Sequence, residues 1–290
     1  MMRVIDLHCD TVGEAYDAGL DLSCGGLDIN SGLLRHFDEY IPVTAVWSRK
    51  DLSGEQCYSR FLAVCGKAEK ELAGTRHILA VEGGSLLCGD ISRLDVLARK
   101  GVRIFTLMWS GINELGGAHD TDIGLTGFGR EVVSRCFELG IVPDVSHASD
   151  KSFYDVREMA KAAGRPFVAS HSNSRALWDH RRNLTDDMYL DVCASGGVAG
   201  VSLEPTHLGR SGGLDDAVGH ILRYFSLDPD GVCLGCDFDG RTCRRPDTEN
   251  MDCIQVLRGK LASKGLSETQ IEKIFYTNAS NFLKANKIEY

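Results

Sequence analysis

Five short apolar runs in this chain end in side chains that can hold a metal ion. The first is Asp6-Leu7-His8-Cys9-Asp10-Thr11, where an extended backbone puts His8 and Asp10 on one face and Cys9 on the other. An imidazole nitrogen beside a carboxylate suits a borderline ion such as zinc. The others close as Val81-Glu82-Gly83-Gly84, Asp144-Val145-Ser146-His147, Ala169-Ser170-His171-Ser172 and Gly235-Cys236-Asp237-Phe238-Asp239-Gly240. A lone histidine at a strand end is usually a hydrogen-bonded structural residue. Five runs ending in ligand types form a pattern. Three histidines and three carboxylates exceed what one tetrahedral zinc needs, and one carboxylate can bridge two ions. That chemistry favours a two-metal site with a shared hydroxide, since Lewis acidity lowers the pKa of bound water toward about 7. The remaining histidines, His36, His77, His119, His180, His207 and His220, fall at helix, loop or strand-start positions and are assigned no chemistry.

Elements must bring those ends together. β-type runs are expected over Arg3–Leu7, Ile41–Trp47, His77–Val81, Val102–Met108, Ile141–Ser146, Pro166–Ser170, Val198–Leu203 and Val232–Cys236. Helical patterns lie between them at Glu55–Leu72, Ile91–Lys100, Gly129–Leu139, Asp150–Ala163, Asp186–Ala194 and Leu214–Phe225. Near-continuous apolar strands separated by helices imply parallel βαβ units with right-handed crossovers. Eight such units predict a (β/α)₈ TIM barrel, with an open doubly wound sheet as second choice. In a barrel the C-terminal strand ends all point into one bowl, so the five runs read as one site. The glycine-rich connection Val12–Tyr40 is expected to be an irregular loop over the mouth. Ser267–Ala285 reads as one or two terminal helices, opened by the capping-box pattern Ser267-Glu268-Thr269-Gln270. Without a Pro/Ser-rich linker, residues 1–290 are expected to form a single domain.

Composition narrows the function class. Of 290 residues, 43% are hydrophobic and 25% charged, as in a soluble globular protein. The formal net charge of -9 argues against nucleic acid, which wants clustered Lys and Arg; Arg181-Arg182 and Arg244-Arg245 are short clusters with acids close by. No stretch approaches the roughly 18 apolar residues of a membrane span, and no signal peptide is visible. Eleven cysteines without regular spacing fit reduced thiols in a cytoplasm. Cys233-Leu234-Gly235-Cys236 lies within an expected strand and reads as core.

Taken in order, these motifs resemble the renal (membrane) dipeptidase family, zinc hydrolases among the amidohydrolase-like barrels. The resemblance runs over essentially the whole chain and includes Leu125-Thr126-Gly127-Phe128-Gly129, Ser170-His171-Ser172-Asn173 and Arg181-Arg182-Asn183-Leu184. It implies two zinc ions per chain, with His8 and Asp10 on one, His147 and His171 on the other, and Glu82 bridging. It further implies that Arg182 grips the terminal carboxylate of a dipeptide and that Asp237 handles the catalytic proton. Two departures concern substrate. Trp109 stands where the mammalian type has a substrate-contacting histidine; it either packs one wall or donates its indole N–H, with Asn113 as another candidate donor. Glu204 stands where an aromatic is common, and either attracts a substrate amino group or turns outward. The expected enzyme is a compact, cytoplasmic, microbial dipeptidase, free of membrane and nucleic acid, with monomer and homodimer both open. The alternatives are a related barrel cleaving another amide, ester or lactam, and a non-catalytic metal- or peptide-binding barrel.

Overall fold

The structure, a computed structural model, describes residues 2–23 and 25–290. Seven strands form one parallel sheet: β1 Arg3–Cys9, β2 Glu39–Trp47, β3 Ile78–Glu82, β4 Val102–Thr106, β5 Val142–Asp144, β6 Ala199–Val201 and β7 Val232–Leu234. Their order is β5-β4-β3-β2-β1-β7-β6. Residues 166–172 fill the gap between β5 and β6. Val168 N–H donates to Pro143 O at 3.0 Å, and Gly200 N–H donates to Ala169 O at 2.9 Å. With that stave the sheet closes as a (β/α)₈ barrel.

The sequence predicts an ordinary strand over Pro166–Ser170, whereas the structure holds it by isolated bridges. Proline lacks an N–H at its start. At its end, Ser170 N–H is drawn to Asp144 Oδ1 at 2.9 Å and His171 N–H to Ser146 Oγ at 3.0 Å. Side chains have taken the donors that a regular ladder would use.

The helices Asp150–Ala163 and Asp186–Ala194 match the expected spans, their N-termini capped by Ser149 and Thr185. The helix Gly54–Glu71 opens with a capping box from Ser53 and Gln56. Its buried Phe61, Val64, Cys65 and Ala68 follow helical spacing and dock on the sheet. Burying such a side chain contributes about 1.5–3 kcal/mol for the larger ones. The connection Val12–Tyr40 is more regular than expected. It contains helices Thr11–Asp17 and Ser31–Leu34, because Val12 and Ala15, three apart, bury one face and Asn30 caps the second helix. Two unexpected helices, Pro205–Leu208 and Cys253–Ser263, also form.

At the chain's end, Ser267 and Gln270 make the expected capping box on helix Glu268–Glu272; a π-helical turn Lys273–Thr277 leads into helix Asn278–Ala285. Tyr276, Ala279, Phe282 and Leu283 pack against Ile5, Ile41, Ile78 and Ile104 and plug the end of the barrel where the strands begin. Arg3 and Tyr290 lie there: Arg3 at the start of β1 pairs with Glu272, and the Arg76 guanidinium stacks 4.5 Å from the Tyr290 ring. Cys233 and Cys236 are buried and free. No helix among the described residues is long and apolar enough to cross a membrane.

Candidate metal centre

Two fully buried acids organise the opposite end of the barrel. Asp6, in β1, accepts Cys236 N–H at 2.7 Å and the Tyr40 hydroxyl at 2.7 Å, joining β1 to β2 and to the end of β7. Asp144, closing β5, accepts N–H from Ser146 and Ser170 at 2.9 Å each and hydroxyls from Thr106 and Ser170 at 2.5 Å each. Each lies two or three residues before a histidine, His8 or His147, and fixes the backbone that aims it. Beyond the strands, His147 and Asp237 take φ of 69° and 62°. Left-handed backbone at a non-glycine residue costs about 1–3 kcal/mol and concentrates at working sites. Gly240 is required for space, since a Cβ there would collide with Asp10 Oδ2 and Asp237 Oδ1.

The strand-end residues converge on Glu82. Its Oε1 lies 2.9 Å from His147 Nε2, 3.3 Å from His171 Nε2 and 3.7 Å from His8 Nε2. His8 Nε2 is also 3.5 Å from Asp10 Oδ2 and 3.8 Å from Asp237 Oδ1. Donor atoms within 4.8 Å of one another define three groups: His8, Asp10 and Glu82; Glu82, His147 and His171; and His8, His171 and Asp237. Glu82 belongs to the first two. Cys9 points away into the core, as expected.

The donor set fits metal ions. His147 Nδ1–H donates to Trp109 O at 2.8 Å, and His171 Nδ1–H to Ser170 Oγ at 2.7 Å, the serine's own proton going to Asp144. Both Nε2 atoms therefore carry lone pairs, and they face each other at 2.9 Å. A cation between them relieves that contact. His8 Nε2 and Asp10 Oδ1 are buried without a partner. Burial pushes His147 well below the ordinary imidazole range, and Arg182 adds to it; burial, His8 and Arg182 do the same to His171. Both are neutral, as ligands must be. Burial works against protonated His8, yet Glu82, Asp10 and Asp237 lift it to about 10. Burial raises the carboxyls of Asp10 and Glu82, and drives Asp237 well up. Such a concentration of buried carboxylates calls for positive charge.

A pocket of about 520 Å³ opens over this cluster, lined among others by Asp10, Glu82, His147 and Asp237. Arg182, buried on its wall, donates to Ser172 Oγ at 2.8 Å and His171 O at 2.9 Å, while its Nε has no partner. The Trp109 ring forms part of the wall, its centroid 4.8 Å from that of Trp47. Glu204 also lines the pocket and does not turn outward. Its carboxylate accepts Thr206 N–H at 3.1 Å, Thr242 N–H at 2.7 Å and both threonine hydroxyls.

Asn113 departs from expectation. Its amide donates to Leu107 O at 2.9 Å and accepts Leu115 and Gly116 N–H; it holds its own loop together and stays out of the pocket lining. Sequence reasoning passed over His119, His180 and His207, which do line the pocket. Their connections fold back over the mouth, something strand periodicity does not reveal. Trp47 was legible, being the last residue of an apolar run.

The sequence model of the family described as membrane dipeptidase (peptidase family M19) matches residues 63–288. An uncharacterized protein in the pqqA 5′ region of Klebsiella pneumoniae is 32% identical over 75% of this chain and 83% of its own. An uncharacterized dipeptidase of Schizosaccharomyces pombe is 27% identical over 92% of this chain and 68% of its own. Among solved structures, a metallo peptidase from Rhodobacter sphaeroides, liganded with a phosphinate mimic of the dipeptide L-Ala-D-Ala, superposes with a TM-score of 0.87 at 21% identity, covering 100% of this chain and 99% of its own.

Proposed function

Since the chain belongs to the membrane dipeptidase family, we propose that it is a zinc dipeptidase acting on dipeptides with a free C-terminal carboxylate. The observation that carries this reading is the sharing of Glu82 between the His8–Asp10 group and the His147–His171 group. On this reading the first group would hold one zinc and the second another, with Glu82 available to both. Bound zinc supplies Lewis acidity toward the peptide carbonyl and acidifies water at neutral pH.

The chain's own residues do the rest. Arg182 offers Nε–H and a second guanidinium proton as a fork for the substrate's carboxylate. Held at the sixth stave, that carboxylate fixes the scissile bond over Glu82. Asp237 Oδ1, beside His8, takes the nucleophile's proton and delivers it to the leaving amine. Burial raises its carboxyl, so the protonated form is accessible at the moment of delivery. Trp47 and Trp109 exclude water from the far wall. Glu204, its oxygens braced by Thr206 and Thr242, puts a negative charge on the pocket wall for the substrate's ammonium.

Zinc analysis together with hydrolysis of a panel of dipeptides tests the proposal. The panel includes C-terminal D-residues, as the Rhodobacter relative's ligand suggests, with N-acyl amino acids and lactones as competitors. Cleavage of free dipeptides with about two zinc ions per chain is expected. Preference for lactones, or tight peptide binding without cleavage, would sink it.

A further inference from the structure

Arg182 does not stand alone on its wall of the pocket. The connection after the sixth stave also supplies His180, and the one after β6 supplies His207; both line the pocket, with ring centroids 6.0 Å apart. Their tautomers follow from their neighbours. His180 Nδ1 accepts the Arg182 backbone N–H at 3.2 Å, so its proton sits on Nε2. His207 Nδ1 faces the Asn173 amide Nδ2, a donor, at 3.5 Å, an arrangement that suits the tautomer with its proton on Nε2. Arg182 Nε–H, on a side chain more than nine-tenths buried, has no partner. Two imidazole N–H groups and a guanidinium N–H therefore share one wall, and the two imidazole donors lie beyond the Arg182 fork.

The charges acting on these rings agree. After burial, the groups that hold His180 below its ordinary range are Arg182 and Arg175. For His207 the fixed charge that does so is again Arg182. Glu204, on the same connection as His207, has its oxygens committed to Thr206 and Thr242. Both rings therefore stand under the fixed positive charge of the Arg182 guanidinium. Donors in a positive field select an anion.

We propose that His180 and His207 form a subsite for an acidic side chain, so that the preferred substrates are dipeptides ending in aspartate or glutamate. This rests on the proposed seating of the substrate's main-chain carboxylate at Arg182. The side-chain carboxylate, one or two methylenes away, then meets the two Nε2–H donors.

The test compares kcat/KM of the zinc-loaded enzyme for Gly-Asp, Gly-Glu, Gly-Asn and Gly-Ala, with L and D C-terminal residues. Calorimetric binding of Gly-Asp and Gly-Asn to Asp237→Asn protein runs alongside. The acidic substrates should exceed their amides by roughly tenfold or more, the size of a charged hydrogen bond. His180→Leu should collapse that ratio, whereas His180→Gln, which keeps a donor, should retain part of it. An Asp/Asn ratio near one, or a ratio untouched in both His180→Leu and His207→Leu, overturns the subsite. If no dipeptide is cleaved, the dipeptidase reading fails, and the binding ratio still decides the subsite.

Discussion

His8, His147 and His171 arise on three staves yet meet at one atom, Glu82 Oε1. Replacing that carboxylate removes a ligand common to two groups. Glu82→Ala should bind clearly less zinc than the wild type and lose activity on the order of a hundredfold or more, beyond what loss of an outer hydrogen bond costs. Unchanged metal content would contradict the bridge. Asp237→Asn keeps size and hydrogen-bonding shape but cannot carry the proton; kcat should drop by roughly 10²–10⁴ with zinc retained. A variant with full activity would move the proton role elsewhere. The ligand positions were legible because alternation along a strand fixes which side chains share a face, as with His8, Asp10 and Cys9. Asn113 was misjudged for the opposite reason, since its fate depends on a loop whose carbonyls and N–H groups claim its amide. His180 and His207 hid for the same cause.

The helix Thr11–Asp17 carries the backbone directly away from Asp10. It is tied down by Asp17, whose carboxylate accepts from Arg60 Nε at 2.9 Å, Arg60 Nη2 at 2.8 Å and Arg49 Nη1 at 2.9 Å. Arg60 is buried and also donates to Trp47 O at 3.0 Å, so one guanidinium joins that helix, the end of β2 and helix Gly54–Glu71. Burial pushes the Asp17 carboxyl up, but the Arg60 and Arg49 bonds outweigh it and hold it below the usual range. With the folded carboxyl more acidic than the unfolded one, its stabilisation is full above about pH 4 and is lost as pH falls through the folded value. Asp17→Asn should destabilise the fold by about 2–4 kcal/mol at neutral pH by stranding Arg60, and should flatten the acid limb of a stability profile. Equal urea midpoints at pH 7 would refute this. The sequence carried the amphipathic helices and most strand spans faithfully. It missed helix Thr11–Asp17, where Val12 and Ala15 alone are too few apolar positions for a period, and the bridged sixth stave, where side-chain acceptors override the ladder.

Across the whole barrel, the densest buried charge sits at its open end, so a metal bound there would couple to folding. An ion that binds only the native chain contributes about 4 kcal/mol at a thousandfold excess over its Kd, and each kcal/mol moves Tm by about 2–4 °C in a protein approaching this size. Chelation should therefore lower Tm by roughly 5 °C or more and abolish hydrolysis, and zinc should restore both. An unchanged Tm in protein verified as metal-free would show that the cluster is stable without ions. The opposite end has a practical meaning. Arg3 and Tyr290 both sit where the strands begin, a barrel's length from Glu82. A molecule held on a bead or an electrode through side chains beside Arg3 or Tyr290 would face outward, its mouth turned to the solution and open to traffic.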